Sequence, residues 1–177
     1  MAVLKITKGS TFRDVLRWGS GETVFKQGTF TATAPLTITC TGHGLVDGWP
    51  VQVEGHPNIA STKYNLVHVV DANTLTFPKI NGKSFTAGTY TLRWAAPVNL
   101  TGYTARMQIK DKVGGTAVCT PTITLDNTAK TITREISAAV TAALTIKKGV
   151  YDLEMVNGTY VVKIDSGTVV VASEVTT

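Results

Sequence analysis

Asn157-Gly158 separates two runs in which apolar and polar residues alternate, Tyr151 to Val156 and Thr159 to Ile164. Few signals constrain a chain as much. Both turn residues tolerate the positive φ of a two-residue hairpin, and a period of two gives each strand one apolar face. With Val156 facing Thr159, Met155 opposes Tyr160, Leu153 opposes Val162 and Tyr151 opposes Ile164. Asp152 then falls opposite Lys163 on the other face. Ser166-Gly167 reads as a second such turn, bringing Val169 opposite Ile164 and Val171 opposite Val162. Three strands, 150–156, 159–165 and 168–175, are expected to form a meander with one buried side.

The rest of the chain has the same character. About thirty of its 177 residues are threonine, and with many valines and isoleucines they suit a pleated surface, while sixteen glycines supply turns. Thr104 to Lys110 alternates cleanly, with Ala105, Met107 and Ile109 on one face. Strands near 117–125 and 130–136 follow, joined by Asp126-Asn127. Ser137 to Leu144 is alanine-rich and predicts one short helix with Ser137 as N-cap. Val3 to Thr7 and Thr11 to Trp18 read as strands around Lys8-Gly9-Ser10. From 28 to 93 the strands shorten: Thr29–Thr39, Pro50–Glu54, Tyr64–Val70, Thr74–Phe77 and Tyr90–Trp94. Arg17-Trp18 and Arg93-Trp94 bracket this region like the ends of an insertion. The expected fold is an all-β sandwich of residues 1–27 and 94–177, carrying a small β-module at 28–93.

Net charge is +5 and the pI about 9.3. The basic residues are dispersed, the longest run being Lys147-Lys148, and no basic stripe interleaves with aromatics, so nucleic acid is not an expected partner; no segment reads as able to span a bilayer, so neither is a membrane. The N-terminal apolar run is too short for a signal peptide. Cys40 and Cys119 stand alone in Thr-rich strands, which fits buried thiols in a reducing compartment and leaves a disulfide open. His43, Asp47 and His56 form a possible metal trio, but thirteen positions and a Trp-Pro separate the two histidines, and a turn histidine beside a glycine is the expected reading. Asp152 and Glu154 share a strand face, read as solvated. No nucleophile elbow, phosphate loop or zinc-protease helix occurs. The expectation is a non-enzyme without cofactors.

The stretch Thr41 to Gly55, TGHGLVDGWPVQVEG, raises one local question: a ligand cradle or a corner. His43 lies between two glycines, Leu45-Val46 can anchor in a small core, Asp47-Gly48 turns, and Trp49-Pro50 leads into a strand. A corner is expected, with Trp49, His56 and Pro57 as candidate contact residues on the module's loops.

His43-Gly44-Leu45, Gly48 to Val53 and Asp71-Ala72-Asn73-Thr74 resemble small β-barrel-like modules inserted in bacteriophage tail and virion proteins. These are similar in turn to the first catalytic cysteine half-domain insert of ubiquitin-activating enzymes, without its catalytic role. Lys8 to Phe12, Pro97 to Ile109, Tyr151 to Glu154 and Gly167 to Thr176 resemble the immunoglobulin-like N-terminal domain of phage baseplate upper proteins. The resemblance implies an Ig-like sandwich and a structural role in a tailed-phage particle. The protein would be made in the bacterial cytoplasm, attach to tail, baseplate or collar in symmetric copies, and self-associate. Decoration of the capsid is the alternative, and a carbohydrate-binding module that stacks host glycans on Trp49 a further one.

Overall fold

The computed structural model describes residues 2–174. Apart from one short helix the elements are strands, in two compact units: residues up to Trp18 with those from Asn99 onward, and Gly19–Val98. In chain order they are β1 (Ala2–Thr7), β2 (Phe12–Leu16), β3 (Gly19–Thr31), β4 (Leu36–Thr39), β5 (Pro50–Glu54), β6 (Asn65–Leu66), β7 (His68–Val69), β8 (Thr74–Phe77) and β9 (Gly88–Pro97). There follow β10 (Thr104–Lys110), β11 (Ala117–Cys119), β12 (Thr122–Asp126), β13 (Thr131–Ile136), α1 (Ala138–Ala142), β14 (Lys148–Asn157) and β15 (Tyr160–Ala172). No helix among the described residues is long and apolar enough to cross a membrane.

The first unit has two sheets, ordered β1-β15-β14-β10-β11 and β12-β13-β2. Alternation builds its core: Met107 and Ile109 on β10, Tyr151, Leu153 and Met155 on β14, and Ile132 and Ile136 on β13 are all buried. Ser137 caps α1, its Oγ accepting from the Val140 N–H at 3.4 Å. Thr141 fastens the helix to the Lys8–Ser10 turn by donating to the Ser10 carbonyl at 2.8 Å.

The C-terminal register differs from expectation. The hairpin turn sits one residue later, so Asn157 pairs with Tyr160, Val156 with Val161 and Met155 with Val162. The chain also does not turn at Ser166-Gly167; β15 runs through it. The pattern had a real break there, because the inward residues change from even (Val162, Ile164) to odd (Val169, Val171). A turn would absorb the change, but the protein uses a β-bulge: Glu154 pairs with Lys163 and Leu153 with Asp165, leaving Ile164 as the extra residue. Asp165 and Gly167 thereby take inward positions. Gly167 meets β1 instead, paired in parallel at Ala2↔Gly167, where a Cβ would lie 2.1 Å from the Ala2 carbonyl oxygen. The third strand of the expected meander is thus replaced by the N-terminal strand. Asp152 faces Ser166, and Lys163 faces Glu154, whose carboxylate accepts from Arg106 Nε at 2.6 Å. The end of the expected last strand at Val175, and Val175-Thr176 of the terminal motif, lie outside the described residues.

The second unit is one sheet ordered β6-β5-β9-β3-β4-β8-β7. Its two end strands, β6 and β7, are separated only by Val67, so a single segment joins both ends and nearly closes a barrel. Val67 makes the join by donating to the Trp49 carbonyl at 3.1 Å and accepting from the Gly48 N–H at 2.7 Å. Phe30, Leu36, Ile38, Val51, Val53, Leu75, Phe77, Leu92 and Trp94 fill the interior. The module boundaries expected at 28 and 93 fall inside β3 and β9, which pair from Gly19↔Pro97 to Phe30↔Gly88. Cutting there would split one ladder, so the division comes at Trp18/Gly19 and Val98/Asn99. The expected strand Thr29–Thr39 is a hairpin, broken around Pro35, which has no N–H for a ladder.

Candidate interaction surfaces

The glycine-flanked histidine forms a corner. Gly42 and Gly44 have φ of +58° and +67°, conformations that L side chains rarely adopt. They turn the buried His43 ring inward. Its Nδ1 accepts from the Leu45 N–H at 3.0 Å, so the proton resides on Nε2, which donates to the Asp71 carbonyl at 2.8 Å. The Gly42 N–H reaches Asn73 Oδ1 at 2.9 Å and the Cys40 N–H the Asn73 carbonyl at 2.7 Å. Corner and Asp71–Thr74 turn are therefore one hydrogen-bonded unit. Within it the Asn73 N–H, donating to Asp71, holds that carboxyl below its ordinary pKa.

Of the three candidate contact residues, two are not available at the surface. Trp49 is 1% exposed because its indole packs in the barrel and donates Nε1–H to the Ala95 carbonyl at 3.0 Å. This removes the stacking platform that a glycan reading needs. His56 is 5% exposed, stacked on Phe30 at 5.4 Å between ring centroids, with Tyr90 at 4.4 Å and Phe85 at 5.0 Å. Its Nδ1 accepts from the Asn58 N–H at 3.1 Å, leaving Nε2 buried without a hydrogen-bond partner. Burial lowers its pKa, since a cation there would lose water and gain no acceptor. Pro57 alone of the three is exposed.

The weighed metal trio is not assembled. His43 and His56 are committed as described, and Asp47 binds His68 Nδ1 at 3.0 Å and the Val69 N–H. Among the described residues no group of three or more His, Cys, Asp or Glu is placed to hold a metal ion. Cys40 and Cys119 are buried and unbridged, and burial raises both thiol pKa values, which suppresses thiolate chemistry.

The first unit contains a polar cluster that alternation alone could have flagged. In Thr131–Ile136, Arg134 falls on the same face as Ile132 and Ile136, and a cation on an apolar face requires buried partners. Arg134 is 3% exposed and donates to Asp14 through Nε and Nη2 at 2.9 and 2.6 Å, and to Asp165 through Nη1 at 2.7 Å. Tyr151 donates its hydroxyl to Asp165 at 2.9 Å and lays its ring 5.2 Å from the guanidinium. Desolvation opposes the charge on Arg134, but the carboxylate bonds outweigh it and raise its pKa. Burial, then Asp165, raises that of Tyr151. The cluster ties β13 and β2 to β14 and β15.

Among the described residues, two surfaces suit contact with other molecules. β1 lies at the end of its sheet, hydrogen-bonded to β15 alone, with Val3 52% exposed. The opposite end is blunted, since β11 has three residues and joins β10 across an irregularity. In the second unit a groove of about 560 Å³ runs between residues 63–67 and 77–80, with Tyr64 and Leu66 exposed beside it.

No protein-family model and no curated protein sequence matches this chain.

Proposed function

We propose that the chain is a non-enzymatic structural component of a tailed-bacteriophage virion, attached to tail, baseplate or collar in symmetric copies. The observation that carries this reading is the terminal position of β1 in its sheet, where among the described residues it pairs with β15 alone. It is a six-residue strand of unbroken extended backbone with no proline, the kind of edge that pairs with a neighbouring subunit. The motif likeness to phage baseplate and virion modules supplies the setting, and several copies would convert weak edge pairing into firm attachment. Partners are other virion proteins and further copies of the chain, and the protein is made in the host bacterial cytoplasm. The test is cryo-electron microscopy of purified particles of the phage that encodes it. Density for both units on the tail, baseplate or collar is expected. Density on the capsid would make it a decoration protein, and absence from the particle would overturn the virion reading.

A further inference from the structure

The barrel of the second unit stays open at one seam, and the register explains why. β7 pairs with β8 at His68↔Thr76 and Val69↔Leu75. Extended in the same register, Val67 would meet Phe77, Leu66 would meet Pro78 and Asn65 would meet Lys79. Val67 instead turns its N–H and C=O toward Trp49 and Gly48, and Pro78 has no N–H to offer Leu66. Successive residues of an extended chain direct their backbone groups to opposite sides. Leu66, next to Val67, therefore presents its N–H and C=O to the gap. This gap is the groove of about 560 Å³, which Phe77 lines and near which Tyr64 and Leu66 are 57% and 55% exposed. Lys63 and Lys79 stand on its two sides, and no carboxylate lines it.

We propose that this seam binds an extended acidic peptide of a partner protein, which adds as a short strand beside Leu66. The peptide backbone would exchange hydrogen bonds with the free backbone groups of Leu66. Its alternate side chains would place carboxylates at Lys63 and Lys79 and apolar groups against the exposed Tyr64 and Pro78. A sugar acid shares the anionic chemistry but does not require a strand-like partner for Leu66. The proposal concerns the second unit and stands whether or not the virion reading holds.

The test is isothermal titration of the full chain with a synthetic octapeptide alternating Glu and Val. Controls are its Lys counterpart, a version N-methylated at alternate backbone positions, and an acidic oligosaccharide. The acidic peptide is expected to bind and to slow hydrogen exchange at the Leu66 amide. Binding should weaken at least about tenfold in the doubly substituted Lys63→Glu/Lys79→Glu chain, the loss of two charge-assisted contacts, and on N-methylation. Both lysines are exposed, so circular dichroism should show the variant folded, and Tyr64→Ser provides a second, uncharged perturbation. Absence of peptide binding at millimolar concentration, indifference to the charge reversal, or binding of the oligosaccharide in place of the peptide would each overturn the proposal.

Discussion

Replacing Arg134 by methionine keeps most of the side chain's volume and removes its charge. Asp165, with a side chain 20% exposed, would keep only the Tyr151 hydroxyl as partner, whereas Asp14, 40% exposed, can rehydrate. Breaking a buried ion pair from one side costs about 3–5 kcal/mol because a charge is left uncompensated. With Asp14 recovering water, the lower end applies, about 3 kcal/mol. Replacing both partners, Arg134→Met with Asp165→Leu, removes the stranded charge. The double variant should return to within about 1 kcal/mol of the natural chain, since hydrophobic replacement of a whole buried pair is often neutral. The gap between the double variant and the sum of the single ones should be at least about 2 kcal/mol, the more so as Asp165→Leu alone has its own cost. Native-state hydrogen exchange at the Ile132 and Leu153 amides reads the opening free energy of the first unit without interference from the second. A single-variant cost below about 1 kcal/mol, or a double variant no more stable than Arg134→Met, would refute the idea that the cluster joins the sheets through a desolvated charge.

Two further predictions use the same logic. The pKa of His56 is lowered by burial from an ordinary value of 6.5, so its contribution to stability is complete above that value and is lost as the pH falls below it. The melting temperature measured from about pH 8 to about pH 5 should therefore drop less for His56→Phe than for the natural chain; equal drops would refute the assignment. Gly167→Ala sets a Cβ against the backbone of Ala2, which cannot rotate away, and should cost about 2 kcal/mol and speed exchange in β1. Gly21→Ala in β3 of the second unit, where nothing lies within 4 Å, should stay within about 0.5 kcal/mol when exchange is read in β3 itself.

Local rules carried much of the fold. Pro50–Glu54 and Thr74–Phe77 form strands with the bounds their patterns predict, Ser137 caps the helix, and the glycines around His43 make the corner. What escaped depends on partners distant in sequence. Trp49 sits in a turn-rich loop that suggests exposure, but its burial is decided by the Ala95 carbonyl and the barrel interior. The change of parity in β15 was visible, yet a turn and a bulge satisfy it equally. Only the arrival of β1 at Gly167 distinguishes them. The seam needs two facts at once, Pro78 on one side and Val67 turned away on the other. No single window of sequence contains the ladder that joins them.

The first and last strands of the barrel begin and end as neighbours, with Gly19 paired to Pro97. Entry and exit of the second unit are therefore about 5 Å apart, as for any antiparallel pair. A connection of that span fits wherever a short turn fits, so the host fold need not be rebuilt to carry such an insert or to lose it. The second unit thus has the connectivity of a cassette, carried on two adjacent strand ends that one short turn could join in its place.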